Sequence, residues 1–459
     1  MMNPSNETVS MRSVEPNLSN SYVPKKIESE IRDKWKRIDL HKRIQQSKKF
    51  SGKKKLGYVD GPPTLNGEPH MGHLRGRVIK DLWYRFETLR GKNIDFRGGW
   101  DCQGLPVELQ AERELGLTGN KTSNLKIIGE ETLVNECKKM LQKYHSIWRE
   151  ADEKIGLLIN DEKAYWTYRD DFIEREWQIL RSAWDHNILS EGYRVTPFCP
   201  NCQTSLSAAE VALGGYENLE DPSMYFKMKM RGEQDTFLVA WTTMPFTVIT
   251  DELVGVKPDS EYCFVSVQQS STGNKDPRGQ SEVWILGSER LEAVMKELRI
   301  DNYSVTKRVA GTDLEGIRYD HPLADLIPSQ SHLDRENDMV HSIVVEDYVD
   351  VTTGSGLVHI SPANGEDDFE VSQRRKIPIF NPIDDQAFFT ADAGAFAGLF
   401  VREADQKVAD ALKQNGLLLR YGRLKHEYPV CWRSGDRLVW LARREYFYFV
   451  DRLKDMAVD

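Results

Sequence analysis

Asp60-Gly61-Pro62-Pro63-Thr64-Leu65-Asn66-Gly67-Glu68-Pro69-His70-Met71-Gly72-His73, with Gly98-Gly99-Trp100-Asp101 one helix later, is the stretch on which the fold turns. Leu56 to Val59 is a short apolar run that stops at a loop rich in Pro and Gly. From Met71 the apolar residues fall at Leu74, Val78, Leu82, Phe86 and Leu89, steps of three and four that give one face of a helix. Gly91 ends it, and Asn93 to Arg97 can form a second short strand. Strand, loop, helix and strand make a nucleotide-binding type of unit in an α/β fold. His70 and His73 stand three apart at the helix start, so both rings project from one face, where unpaired N–H groups and the positive dipole end favour an anion. Gly72 between them leaves room for a flat ring. Two solvated histidines, or half a metal site, fit the same spacing.

At 459 residues the chain is too long for one compact core, and two or three domains are expected. Hydrophobic residues at 39% and aromatic residues at 10% suffice for globular cores, while no uncharged apolar run approaches a membrane span. No membrane partner is expected. The amino terminus lacks the apolar core of a signal peptide, so cytoplasmic residence is the default. Six cysteines, four of them scattered, do not read as a disulfide framework. A net charge of -9 argues against a surface that grips nucleic acid throughout, although an acidic chain can carry a local basic face. Lys48, Lys49, Lys53, Lys54 and Lys55 form one basic cluster, read as a solvated linker.

Residues 1–20 are rich in Asn and Ser and are expected to be flexible. A helix follows from Val23, with Ile27, Ile31, Trp35 and Ile38 spaced to face a core. Val107 to Leu158 reads as mostly helical. Residues 159–192, with Trp166, Phe172, Trp177, Leu180 and Trp184, read as further helix whose aromatic stripe belongs to a core. The texture changes near residue 193. From there to about residue 420 short β-like runs dominate, at Ser223 to Met228, Thr236 to Trp241, Glu261 to Val267 and Glu282 to Leu286, broken by polar turns such as Ser270 to Lys275. A separate β-rich domain over 226–420 is therefore expected, inserted into the first domain (21–192) through a connective region at 193–225. Residues 421–459, with Leu438 to Leu441 and Tyr446 to Val450, read as the return. Cys199-Pro200-Asn201-Cys202 has the two-residue gap of a zinc knuckle, in which both sulfurs reach one tetrahedral ion. Alone it is half a site, and two partly buried free thiols fit it too.

Asp-Gly-Pro-Pro before Pro-His-Met-Gly-His, and Gly-Trp-Asp-Cys-Gln-Gly-Leu-Pro-Val-Glu after the helix, resemble the class I aminoacyl-tRNA synthetases, whose signature is usually written HIGH. The resemblance runs from about residue 21 to the end and is closest to the isoleucyl enzymes. It implies the first half of a Rossmann-type nucleotide-binding catalytic domain, interrupted by a β-rich editing domain. ATP with Mg2+, isoleucine and an isoleucine tRNA are the ligands it implies. His70 and His73 would stabilise the charge on the α-phosphate as the amino acid carboxylate attacks ATP, and Gly72 would pack against adenine. Asp101 and the Pro62 carbonyl would hold the amino group of isoleucine.

Two stretches of the insertion extend the resemblance. Trp241-Thr242-Thr243-Met244-Pro245-Phe246-Thr247 resembles the threonine-rich loop of the editing domain in the isoleucyl, valyl and leucyl enzymes. Gly354-Ser355-Gly356-Leu357-Val358-His359, leading into Gly365-Glu366-Asp367-Asp368-Phe369, is similar to the second wall of that pocket. Thr242, Thr243, His359 and Asp368 would then line it, the hydroxyls placing a water or the terminal ribose and Asp368 holding the α-ammonium of a mischarged residue. A Thr-capped hairpin end and an acidic turn account for either stretch alone, but not for both in this order. Isoleucine and valine differ by one methylene, worth only about 1–3 kcal/mol to a binding pocket, a figure belonging to this enzyme family rather than obtained from this chain. A second, hydrolytic site is the way out. His359 favours the isoleucyl over the valyl enzymes, which usually carry lysine there. The family also supplies a second cysteine pair, where this chain has Cys431-Trp432-Arg433-Ser434. Cys199, Cys202 and Cys431 are thus candidate ligands of a structural Zn2+, with His426 open as a fourth.

Departures from the family pattern set further expectations. Gln103 stands where histidine is common, Met244 replaces a third threonine, Phe246 a tryptophan, Asp251 an asparagine and Asn364 a frequent histidine, which puts the rate and selectivity of editing in question. No Lys-Met-Ser-Lys-Ser loop and no anticodon-binding helical domain occur. The chain is therefore expected to be the amino-terminal part of a longer synthetase, whose remainder is a partner, and to hydrolyse mischarged aminoacyl-tRNA better than it activates isoleucine. The rivals are a valyl or leucyl fragment, a trans-editing or non-catalytic tRNA-binding paralogue, and a zinc hydrolase built on His70 and His73.

Overall fold

The computed structural model describes residues 23–268 and 281–454; the flexible terminus expected over 1–20 and the polar turn Ser270 to Lys275 lie outside them. Contacts divide the chain into two compact units. Among the described residues, one comprises 23–118 with 127–179, the other 119–126 with 180–268 and 281–454.

The first unit is built on a three-stranded parallel sheet of Lys55–Val59, Asn93–Trp100 and Asn160–Trp166, in that order. The first strand stops at a loop because Pro62 and Pro63 carry no N–H for a ladder. Parallel neighbours need a crossover, and helix Met71–Leu89 supplies it for the first pair, helices Leu105–Glu114 and Glu130–Ile155 for the second. The strand–loop–helix–strand reading of the opening stretch is what the backbone does.

Its packing runs against the usual rule that the apolar face of a helix is the buried one. The apolar stripe of helix Met71–Leu89 is real, but Val78, Leu82, Phe86 and Leu89 are 49–76% exposed, and the buried residues are Arg77, Asp81, Tyr84 and Glu87. Those charges can be buried because each is paired: Arg77 with Asp152, Asp81 with Arg85 and the Leu158 N–H, Glu87 with Lys92. Helix Pro24–Arg37 likewise buries no residue fully, although Trp35 lies 5.0 Å under the Arg85 guanidinium.

Residues 159–192 are not simply helix. They hold the third parallel strand, helix Asp170–Asp185 and the start of strand Leu189–Cys199. Pairing of Trp166 with Trp100 across the sheet overrides the local pattern, and Trp177 and Trp184 are exposed rather than in a core. The lysine cluster is not a free linker either. Lys49 and Lys53 donate Nζ hydrogens to the Leu89 and Gly91 carbonyls at 3.2 and 2.6 Å, capping the end of helix Met71–Leu89.

The second unit is dominated by a seven-stranded sheet. Its order is Tyr303–Ala310, Glu261–Gln268, Ser281–Gly287, Thr236–Thr242 and Tyr216–Met230, with Leu418–Pro429 and Tyr319–Asp320 both on the far side of Tyr216–Met230. All four β-like runs read from the sequence fall within these strands. A second sheet has Leu253–Val256 at its centre, Ser342–Val345 parallel to it and Val358–Ile360 antiparallel, so His359 lies opposite Val254. The two ends of the unit are joined by an antiparallel ladder of Leu189–Cys199 with Val439–Tyr448. Among the described residues no helix is long and apolar enough to cross a membrane.

Candidate active sites

In the first unit the loop after strand Lys55–Val59 is held at several points. Buried Asp60 pairs with Lys80, and its carbonyl accepts the Tyr165 hydroxyl at 2.9 Å. Trp148 donates its indole N–H to the Gly67 carbonyl at 2.9 Å. Asp101, at the end of the central strand, bonds both ways with the loop: its N–H reaches the Pro63 carbonyl, its carbonyl accepts from Leu65, and its carboxylate accepts the Thr64 hydroxyl at 2.6 Å. Pro62 lies on the wall of a cavity of about 740 Å³ shared with Tyr165, Trp166 and Thr167.

His70 and His73 are brought together at the helix start, their rings stacked 3.6 Å apart. His70 Nδ1 accepts from the Gly72 and His73 N–H groups, and His73 Nδ1 accepts from the His70 N–H. Both δ nitrogens are thus acceptors, which leaves each ε nitrogen as the N–H donor of its ring. Partial burial, then His70 and Arg77, lower the His73 pKa. A Cβ at position 72 would sit 3.0 Å from the His70 ring, so glycine gives this stack room that any side chain would crowd.

In the second unit a cavity of about 250 Å³ is lined by Thr242, Thr243 and Met244 from the threonine loop and by Val358, His359 and Asp368 from the opposite wall. Strand Thr236–Thr242 delivers the loop, and Pro245 starts the tight turn Pro245–Thr250. The Thr242 hydroxyl oxygen accepts the Met244 N–H at 3.1 Å. The Asp368 carboxylate accepts the Tyr348 hydroxyl at 2.8 Å and the Ser361 N–H at 2.9 Å, and burial raises its pKa to about 6. Gly354, at φ +55°, lets the backbone approach Trp241, where a Cβ would sit 3.0 Å from the ring.

Phe246, flagged as a departure, is fully buried and does not line the cavity, whereas Met244 and Asn364 do. Two residues absent from the expected site belong to it. Thr247 lines the cavity, and Asp251 lies behind His359. Asp251 was visible only as a departure from the family, and no spacing rule links it to a histidine more than a hundred residues away.

Cys199, Cys202 and Cys431 are buried, with ligand atoms within 4.8 Å of one another. Among the described residues this is the grouping able to hold a metal, so His70 and His73 lack a third ligand for the hydrolase reading. Ser434 Oγ lies 3.3 Å from Cys199 Sγ. His426 is committed elsewhere, its Nε2 lying 3.0 Å from the Asp221 carboxylate.

The profile described as "tRNA synthetases class I (I, L, M and V)" matches residues 30–459. The isoleucine–tRNA ligase of Pyrobaculum aerophilum is 36% identical over 436 residues, 95% of this chain and 42% of that protein. That of Methanocaldococcus jannaschii is 33% identical over 439 residues, 95% of this chain and 41% of that protein. The chain thus spans about two fifths of the length of the curated relatives it matches. A ternary complex of Agrobacterium radiobacter K84 agnB2 LeuRS with tRNA and LeuAMS aligns over 92% of this chain and 50% of that one, at 15% identity and a TM-score of 0.35, too low to carry an argument. On the extent of the profile match, the chain belongs to the class I tRNA synthetases of the isoleucyl, leucyl, methionyl and valyl group.

Proposed function

We propose that this chain is the part of an isoleucine–tRNA ligase that carries half of the adenylate-forming site and a hydrolytic site that removes mischarged valine from tRNA. The observation that carries the reading is the convergence of Thr242, Thr243, His359 and Asp368, from separate stretches, on one small cavity. The Asp368 carboxylate meets an α-ammonium, the hydroxyls of Thr242 and Thr243 hold water and the terminal ribose, and Met244, Leu357 and Val358 give an aliphatic side chain an apolar wall. Isoleucine–tRNA ligases matched over 95% of this chain support the choice of amino acid.

In the first unit the parallel sheet is taken as the first half of a Rossmann-type domain. The outward ε N–H groups of His70 and His73 would donate to the phosphates of ATP, with Mg2+ as its counterion and Gly72 beside adenine. Asp101 and the Pro62 carbonyl would hold isoleucine. The remainder of the synthetase, carrying the lysine loop and the anticodon-binding domain, is the partner, and the cytoplasm is the compartment. Incubated alone, the chain is expected to deacylate valyl-tRNA(Ile), spare isoleucyl-tRNA(Ile) and give no isoleucine-dependent pyrophosphate exchange. Intact valyl-tRNA(Ile) would sink the hydrolytic reading, and robust exchange the half-site.

The cysteine cluster fits zinc. A tetrahedron with Zn–S bonds of about 2.3 Å has edges of about 3.8 Å. Cys202 and Cys431 stand 3.9 Å apart, and Ser434 occupies the place of the missing fourth thiolate. Cys199, Cys202 and Cys431 would hold the ion. Elemental analysis of the purified chain is expected to find stoichiometric zinc, chelation to lower its melting temperature, and Ser434→Cys to slow metal loss to the chelator. A chain that takes up no zinc on refolding in its presence contradicts the assignment.

A further inference from the structure

A second cavity adjoins the threonine-lined one, and the hydrolytic reading leaves it unused. It holds about 460 Å³, and Trp241, Thr353 and Gly354 line both cavities. Three arginines, Arg290, Arg420 and Arg423, line it against one carboxylate, that of Glu297. In a chain of net charge -9 this concentration of positive charge is local. Strand register builds one wall: Tyr225 lies opposite Arg420 and Ser223 opposite Gly422, and residues two apart on a strand share a face. Helix Leu291–Leu298 supplies another, with Arg290 just before its first turn and Glu297 in its last.

The positive charges are not cancelled within the cavity. The Glu297 carboxylate is taken by Arg290 at 3.2 Å and by the Tyr225 hydroxyl at 2.9 Å. Arg290 also donates its Nε hydrogen to the Gly354 carbonyl at 2.9 Å, which ties this guanidinium to the wall that the two cavities share. Arg420 gives one N–H to the Glu297 carbonyl at 2.6 Å and pairs with no carboxylate among the described residues. The Arg423 side chain is 69% exposed, and the Glu220 carboxylate stands 3.9 Å from it. A guanidinium carries more N–H donors than these bonds use, and its planar fork matches the oxygens of a phosphate. A merely structural alternative has Arg420 only capping the end of helix Leu291–Leu298 through the Glu297 carbonyl.

We propose that this cavity holds the 5′ phosphate of the terminal nucleotide of tRNA, with Arg420 and Arg290 donating to its oxygens, while the aminoacylated ribose of the same nucleotide occupies the threonine-lined cavity. The proposal rests on the hydrolytic reading given above and adds the part of the substrate which that reading leaves unheld. The phosphate and the esterified hydroxyl of one nucleotide stand on opposite sides of its ribose. The two cavities meet along Trp241, Thr353 and Gly354, so one nucleotide reaches into both. Their charges match its two ends. Asp368 faces the α-ammonium of the amino acid in the smaller cavity, and the arginines face the phosphate in the larger.

Deacylation of three valyl esters by the full chain tests this: the ribose ester of adenosine, the ribose ester of adenosine 5′-phosphate, and valyl-tRNA(Ile). Taking the phosphate off the small ester should slow the parent by about tenfold or more, the worth of a charge-assisted hydrogen bond. In Arg420→Gln the same removal should cost less than about threefold, because the guanidinium and the phosphate act on each other. Arg420→Lys, with the charge but not the fork, should fall in between. With valyl-tRNA(Ile), Arg420→Gln should raise the half-saturating enzyme concentration by about tenfold and leave the plateau rate as it was. That comparison decides if the parent cleaves neither small ester. Equal slowing of both small esters by Arg420→Gln is what a lost helix cap would give, and it overturns the proposal, as does a parent indifferent to the phosphate. Should Arg420→Gln fail to fold, Arg290→Gln is judged on the same ratio. If the parent cleaves none of the three esters, it is the hydrolytic reading that fails.

Discussion

Arg77→Met is expected to destabilise the first unit by about 3–5 kcal/mol, the cost of stranding a buried charge rather than of losing a surface contact. Arg77 is 4% exposed, with one guanidinium nitrogen 2.9 Å from the Asp152 carboxylate and another 3.8 Å from that of Asp60. The flat group lies 5.0 Å from the ring centres of both Trp100 and Trp148. Burial already lifts the Asp152 pKa to about 6 against the pull of Arg77 and Arg149. Without the cation, Asp152 either ionises at greater cost or takes up a proton, whereas Asp60 keeps Lys80. Arg77→Lys retains the charge but not the fork or the stacking plane, and falls in between. Arg77→Met combined with Asp152→Asn recovers most of the loss, because no carboxylate is then stranded. Urea unfolding followed by hydrogen exchange in strand Asn93–Trp100 reads the effect on this unit. A loss below about 1 kcal/mol would mean that the ion pair is as weak as a surface one. The variant also reaches the site, since Trp148 holds the Gly67 carbonyl and packs on the His73 ring at 4.8 Å.

Arg77 also marks where reading the sequence stops. The spacing of Leu74, Val78, Leu82 and Phe86 identifies a helix, because period is a property of local backbone geometry. Which face that helix buries depends on Asp152, a partner in another helix, and a count of apolar residues by itself points to the exposed face. Trp166 illustrates the same limit: its strand is set by pairing with the centre of the sheet, a contact between distant residues that the local pattern does not contain. The histidine pair and the threonine-loop residues were legible because each sits in a short contiguous motif. Thr247 was within that motif but silent. Its hydrogen bond to His359 depends on the register of strand Val358–Ile360 against Leu253–Val256, which no local pattern contains.

Glu252→Gln is expected to stabilise the second unit at neutral pH by about 3 kcal/mol and to do almost nothing near pH 4. Glu252 is fully buried; one carboxylate oxygen accepts the Phe380 N–H at 2.7 Å and the other has no partner within hydrogen-bonding distance among the described residues. Burial raises its pKa from the ordinary 4.5 to about 8, the Phe380 N–H opposing and neighbouring Asp251 adding to the rise. Between those two values the folded chain holds a proton that the unfolded chain has released, so stability falls as pH rises through that window. Glutamine has the shape of the neutral acid and no such penalty. Its advantage should therefore grow from pH 4.5 towards pH 8. Buried His321 and His341, with pKa lowered to about 3 and 4, act in the opposite sense by costing stability as pH falls below 6.5. They are common to both proteins and cancel in the difference. Denaturant unfolding of parent and variant at several pH values supplies the test, and a stabilisation that does not change with pH would remove the argument.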